Sequence, residues 1–386
     1  MSAVTRTRDQ RRFLFVTWSG GGNVNPAVAL AVLLRSRGHD VRALGPASLV
    51  ERFGAEGIAY RAHRSRAEWS GGPVVWPQGP TQGQRRAYLA GLCADVRAEV
   101  AREPVDVAVV DYMQPDALCA VERAGVPCAA FVHTLHRSMA LTSASPMAMA
   151  GSVEDIGALR SDLGLAPIAR LTDLLDRAAR VLVTTAPALD GDGDALPPNV
   201  RYVGPIVEAP GPDAGWTPPL ADDGRPLVAV SMGTTPMNER EPLQRILDAL
   251  ATLPVRGFAT VGHHLDPAEL KPAPNTVMSR YVRHAAVLPH ARLLATHAGL
   301  SSIGAALACG VPMLCVPLGR DQPMNARRVQ SLGAGLALHA QASVEELRAA
   351  LREMLASQRF RDAARGLAVD GSGAQAADAL EELAGA

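Results

Sequence analysis

Lysine is almost missing from this chain: of 38 basic residues only Lys271 is not arginine. No Gly-Lys pair occurs, which excludes a P-loop nucleotide hydrolase, and a Schiff-base enzyme would have to use Lys271. The five cysteines (Cys93, Cys119, Cys128, Cys309, Cys315) form no CxxC and sit in apolar contexts, so they read as buried reduced thiols. A G-x-S-x-G elbow is absent, which disfavours a serine hydrolase. Basic and acidic residues balance at 38 each, without the surplus that a nucleic-acid binder carries. No uninterrupted apolar run reaches the roughly 18 residues that cross a bilayer, and the N-terminal MSAVTRTRDQRR has no apolar signal core. The expectation is a cytoplasmic enzyme with neither a nucleic-acid nor a membrane partner.

What is present is a globular composition, 48% hydrophobic and 20% charged over 386 residues, which is too long for one ordinary core. Short β-rich runs alternate with helical patterns. Strands are expected at 13–17, 41–44, 105–110, 129–132 and 181–184, with a helix over 26–36 after the first. Residues 206–226 are dense in Pro, Gly and Asp and read as a linker. The alternation then restarts, with strands at 227–231, 257–261, 291–296 and 312–316 and helices at 300–308, 344–355 and 374–383. The pattern predicts an α/β protein of two Rossmann-like doubly wound parallel-sheet domains, 1–205 and 227–365, facing each other across a cleft. A C-terminal helix within 366–386 is expected to pack back toward the first domain. Loops 65–84, with Trp69 and Trp76, and 137–151, rich in Met and Ala, lack periodicity and are expected to line an apolar pocket.

Ser19-Gly20-Gly21-Gly22-Asn23-Val24-Asn25-Pro26 follows the first strand and invites a dinucleotide reading. That fingerprint needs a third glycine where Asn25 stands, and an acid at the end of the second strand, which instead closes with Gly45-Pro46. The phosphate signature lies in the second half, in THAGLSSIGAALACGVPMLCVPLGRDQPMNARRV from Thr296. His297 and Gly299 open a turn, and Ser301 and Ser302 fall in the first turn of a helix whose N–H groups and dipole suit a pyrophosphate. Asp321-Gln322 follows the next strand and so reaches the same sheet edge, with a carboxylate and an amide suited to sugar hydroxyls.

With H-x-G-x-x-S, GVP and DQ-x-x-NA at these spacings, the chain resembles the inverting, nucleotide-sugar-dependent glycosyltransferases of the GT-B fold, especially bacterial natural-product enzymes. The resemblance covers nearly the whole chain and is strongest over 281–335. It implies a metal-independent transferase with no cofactor, a nucleoside diphosphate sugar as co-substrate and a hydrophobic small-molecule acceptor. A deoxysugar on dTDP is favoured over UDP-glucose, and a homodimer is compatible with the pattern. Carried over by position, His297, Gly299, Ser301 and Ser302 look like the pyrophosphate clamp, and Ser231, Gly233 and Thr234 like the loop facing the phosphates. Asp321 and Gln322 look like the sugar contacts, and Tyr281-Val282 the nucleobase site. Arg37-Gly38-His39-Asp40-Val41 matches the family's RGH-x-V. Gly22, Trp76, Met113 and His136 are expected on the acceptor side.

One departure bears on catalysis. Asn23 stands where relatives carry a histidine base, and an amide has no useful proton affinity. Ala305 similarly replaces a frequent ribose-binding glutamate. Three alternatives follow for the base. His133, or else Asp111, takes the proton while Asn23 positions the acceptor; or the acceptor, an amine or activated aromatic carbon, needs no base; or the chain is a non-catalytic homologue that binds a nucleotide sugar or assists a partner enzyme.

Overall fold

The computed structural model describes residues 10–64, 82–139, 151–191 and 195–385. Loops 65–84 and 137–151 therefore lie largely outside the described residues, and Trp69 and Trp76 wholly so.

The chain divides into two compact units. The first comprises Met1–Thr184, Gly193–Val203 and Gly373–Ala386. In chain order it holds β1 (Arg12–Val16), α1 (Val24–Ser36), β2 (Asp40–Gly45), α2 (Val50–Gly54), β3 (Ala59–Ala62), α3 (Gln82–Arg102) and β4 (Val107–Asp111). There follow α4 (Pro115–Ala124), β5 (Cys128–Val132), α5 (His136–Met139), α6 (Val153–Asp162), α7 (Asp173–Asp176) and β6 (Arg180–Val183). After α8 (Pro187–Asp190), which belongs to the second unit, comes β7 (Val200–Tyr202). The seven strands form one parallel sheet in the order β3-β2-β1-β4-β5-β6-β7. Its inner strands, such as VAVVD and CAAFV, are buried along their length, which is why they read as near-continuous apolar runs.

The second unit, Thr185–Asp192 and Gly204–Ser372, repeats the plan. It contains β8 (Leu227–Ser231), α9 (Arg240–Leu250), β9 (Arg256–Thr260), β10 (Thr276–Ser279), α10 (His284–Val287), β11 (Leu293–Thr296) and α11 (Leu300–Ala308). It continues with β12 (Met313–Cys315), α12 (Gln322–Ser331), β13 (Gly335–Ala337), α13 (Val344–Ala356) and α14 (Arg359–Gly366). Its six strands are parallel in the order β10-β9-β8-β11-β12-β13. On α9, Leu243, Ile246, Leu247 and Leu250 recur at helical spacing and are fully buried, setting that helix on the sheet. A capping box between Ser343 and Glu346 starts α13.

The unit boundaries differ from those expected. The Pro- and Gly-rich stretch 206–226 is no free linker but part of the second unit. Trp216 packs on Phe258, ring centroids 4.9 Å apart, and Arg256 pairs with Asp222 at 2.9 Å. Val207 N–H donates to the Gly371 carbonyl at 2.8 Å. Thr185–Asp192 likewise joins the second unit, because Arg328 on α12 donates to the Leu189 and Ala188 carbonyls at 2.8 and 2.9 Å. The last helix, α15 (Ala374–Gly385), belongs to the first unit, while 366–372 stays with the second.

The Arg37-Gly38-His39 motif explains how α15 is held. Arg37 pairs with Asp378 at 2.6 Å and Glu381 at 2.9 Å, and His39 Nε2 meets Glu381 at 2.9 Å. The Arg11 N–H donates to His39 Nδ1, so Nε2 carries the proton toward Glu381. Gly38 has φ +93°, a turn that a side chain would strain.

Candidate active site

In each sheet the strand order reverses once, between β1 and β4 in the first unit and between β8 and β11 in the second. In open parallel sheets ligands bind beyond the carboxyl ends of the strands at that reversal. The loops after these four strands hold most of the residues singled out from the sequence.

In the first unit the glycine loop closes on itself. A Cβ on Gly20 would lie 2.5 Å from the Trp18 indole, and Gly21 has φ +93°, so two of the three glycines serve the loop's own path. The loop delivers Asn23 to the N-cap of α1, where it is only 1% exposed. Its Nδ2 donates to the Trp18 carbonyl at 2.8 Å and to Asp111 Oδ2 at 2.9 Å. Asp111, the last residue of β4, is 3% exposed and also accepts the Met113 N–H at 3.0 Å. His133 follows β5, the next strand, and its Nε2 lies 3.2 Å from both Asp111 oxygens. The Tyr112 ring meets the imidazole edge-on at 5.0 Å. Asn23, Asp111 and His133 thus form one hydrogen-bonded array centred on the carboxylate.

The expected acceptor residues do not share one environment. Gly22 is exposed on the loop and His136 is half-buried at the start of α5. The Met113 side chain is 8% exposed and packs in the first unit's core, and its backbone N–H donates to Asp111. Trp76 is outside the described residues.

In the second unit Ser231 ends β8 and is 8% exposed, followed by Gly233 at φ +98° and an exposed Thr234. His297 follows β11, hydrogen-bonds the Ser231 backbone and lies 3.4 Å from Thr296 Oγ1 through Nδ1. A Cβ on Gly233 would come within 3.0 Å of the imidazole, and one on Gly299 within 2.6 Å, so the ring fills the space between two glycines. Gly299 is the N-cap of α11 and no side chain caps that helix, whose second and third residues are Ser301 and Ser302. Ser302 is 4% exposed, Ser301 half-buried. Burial, with the charges of His284 and Arg320, pushes the His297 pKa down to about 4, leaving a neutral imidazole at pH 7.

Asp321 and Gln322 part company. Asp321 is half-buried at the N-cap of α12. Gln322 is 3% exposed, and its Oε1 accepts the Leu318 and Gly319 N–H groups at 2.8 and 3.2 Å. Its Nε2 points to the Met237 sulfur at 3.2 Å, so this amide braces the loop before α12.

Two residues of this edge escaped the sequence reading. His263, after β9, stacks on Tyr281 with ring centroids 5.3 Å apart and planes at 26°, extending the aromatic surface at the expected nucleobase position; a Val-Gly-His-His run closing a strand was the signal available. The other is Asn325. Backbone strain marks the same place: among the described residues the non-glycine residues with positive φ are Asn238 (58°), Ala298 (67°) and Arg320 (56°), one after each of β8, β11 and β12.

Two Rossmann-like sheets with these loops define the GT-B class of glycosyltransferase. Solved structures agree on the fold: the kitacinnamycin glycosyltransferase superposes with TM-score 0.78 at 22% identity over 97% of this chain and 99% of its own. The calicheamicin glycosyltransferase CalG4 gives 0.77 at 22% over 98% and 99%. The 4'-demethylrebeccamycin synthase of Lentzea aerocolonigenes is 31% identical over 91% of this chain and 93% of its own length. Residues 161–369 match the family described as UDP-glucoronosyl and UDP-glucosyl transferase. The chain belongs to that family and is a glycosyltransferase. No described helix is long and apolar enough to cross a membrane.

Proposed function

We propose that this enzyme transfers a sugar, with inversion, from a nucleoside diphosphate donor to a hydrophobic natural-product acceptor, using His133 as the general base. The observation that carries the catalytic assignment is the shared carboxylate: Asp111 holds the Asn23 amide at 2.9 Å and the His133 imidazole at 3.2 Å. With Nε2–H donated to Asp111, the lone pair of His133 is on Nδ1, which takes the acceptor's proton as its oxygen or nitrogen attacks the anomeric carbon. The bond to the β-phosphate oxygen breaks, and Asp111 stabilises the imidazolium that forms. Asn23 fixes the carboxylate rather than moving a proton, and so acts through Asp111.

The donor is assigned to the second unit's sheet edge. Charge developing on the leaving diphosphate meets Thr234, His297 and the first turn of α11, so the reading requires no metal and no cofactor. Tyr281 with His263 takes the nucleobase, and Asp321 the transferred sugar. The whole-length similarity to 4'-demethylrebeccamycin synthase supports a natural-product acceptor. A deoxysugar carried on dTDP rests on the resemblance to antibiotic-tailoring enzymes.

The test is turnover with dTDP- and UDP-sugars against a panel of polycyclic and macrolide acceptors, with the anomeric configuration of the product read by NMR. A retained configuration, or tight donor binding with neither transfer nor donor hydrolysis, would overturn the proposal.

A further inference from the structure

Asn325 lies one helical turn after Asp321 on α12 and is 1% exposed. Its Nδ2 donates to Asp321 Oδ2 at 2.9 Å and to the Ala298 carbonyl at 3.1 Å. Both partners are acceptors, so the amide has one orientation, and its Oδ1 is left buried without a partner. An unsatisfied buried acceptor costs stability, so this amide is poorly accounted for by packing alone. Ala298, at the other end of the bridge, holds φ +67° in the turn between His297 and Gly299. The side chain therefore ties the carboxylate at the head of α12 to the strained turn that precedes α11. Without it, Asp321 retains no other side-chain partner among the described hydrogen bonds and can rotate about χ1.

We propose that Asn325 is the positioning residue that aims Asp321 at the transferred sugar, anchored for that purpose on the Ala298 carbonyl. The inference rests on the reading of Asp321 as the sugar contact. It predicts that removing the amide harms recognition of the sugar more than recognition of the nucleoside diphosphate. A carboxylate misplaced by about 1 Å is enough to lose on the order of 100-fold in rate.

Three variants test it, each first checked for a thermal midpoint near that of the parent. Asp321→Asn tests the underlying reading: kcat/KM for the donor falls at least tenfold, and a change under threefold overturns both the reading and the inference. Asn325→Ala lowers kcat/KM for the sugar donor by about tenfold to a hundredfold, while the competitive inhibition constant of the free nucleoside diphosphate moves less than threefold. Equal losses in both would show that Asn325 only supports the phosphate turn, and would overturn the inference with the Asp321 reading intact. Asn325→Asp supplies a pH signature. Two carboxyls at this spacing hold one proton between them, and that single O–H replaces the donation to Asp321, but not the one to the Ala298 carbonyl, until the proton leaves at higher pH. The Asn325→Asp variant therefore keeps more activity than Asn325→Ala at low pH and loses it as pH rises, with a midpoint below about pH 8, a limb that the parent and Asn325→Ala lack; a parent-like profile overturns the inference.

Discussion

Replacing His133 by alanine is the most direct perturbation of the proposed mechanism. Asp111 would keep two of its three described donors, the Asn23 amide at 2.9 Å and the Met113 N–H at 3.0 Å, so the carboxylate stays in place. What disappears is the imidazole 3.2 Å from it, and neither Asn23 nor the backbone can accept a proton at neutral pH. General-base catalysis is worth roughly 10²–10⁴-fold, or about 3–5 kcal/mol of barrier, and the single-turnover rate should fall by that factor. Donor affinity should stay within about twofold, because the second unit is untouched. The assay is rapid-quench single turnover with enzyme in excess, which removes product release from the measurement. The companion is the double variant His133→Ala with Asn23→His, which returns an imidazole to the other side of Asp111. Position 23 is 1% exposed, so the larger ring costs about 1–3 kcal/mol of stability, visible as a lower thermal midpoint. Recovery of a tenth or more of the lost rate would show that the base can act from either side of the shared carboxylate. A His133→Ala rate within about threefold of the parent would refute the assignment and favour an acceptor that needs no base.

Gly299→Ala has an acceptable φ of −67° but puts a Cβ 2.6 Å from His297 Nε2, so the donor KM should rise about tenfold or more, whereas Gly157→Ala, with nothing near its Cβ, should leave kinetics unchanged. Burial pushes His284 and His297 down to about 4 from 6.5; the folded state resists protonation, so this stability is full above about pH 6.5 and is lost as pH falls toward 4, as a declining thermal midpoint should report. Burial pushes the Cys119, Cys128 and Cys315 thiols up to about 12 and Cys93 to about 11, so iodoacetamide at pH 8 should label these four only as the protein unfolds. Arg37→Ala removes two half-exposed ion pairs to α15 and should cost no more than about 1 kcal/mol in urea titration; a loss of several would mean that the motif holds more than this helix.

The strands legible in the sequence were the interior ones. Those at 13–17, 41–44, 105–110, 129–132, 181–184, 227–231, 257–261, 291–296 and 312–316 each match an observed strand within about two residues at an end, because both faces are covered and the chain reads apolar throughout. Missing from the expectation were β3, β7, β10 and β13, the two edges of each sheet. Ala59–Ala62 alternates exposed and half-buried, and Thr276–Ser279 has one buried residue in four, so neither forms an apolar run. The linker was misjudged for a related reason. Pro and Gly density predicts irregular backbone, and the backbone of 206–226 is irregular; composition is silent on the anchors of Trp216 and Asp222 that make it part of a domain.

At the candidate site, residue identity was easier to read than the direction of each side chain. Asn23 was visible as an amide in a base's place, but its bond to Asp111 spans 88 positions and no local rule predicts it. The exchange of duties on α12 was within reach. Residues four apart share a helix face and neighbours do not, so at the head of a helix D-Q-x-x-N pairs the aspartate with the asparagine and turns the glutamine about 100° away. The structure follows that geometry: Asn325 meets Asp321, and Gln322 turns to the backbone of Leu318 and Gly319. In the structure only Asp321 of the Asp321-Gln322 pair is partly exposed, while the Gln322 amide is held by the loop before α12. The consequence is a specific division of labour, in which a Gln322 variant should loosen the loop before α12 and an Asn325 variant should misdirect Asp321 while leaving that loop in place.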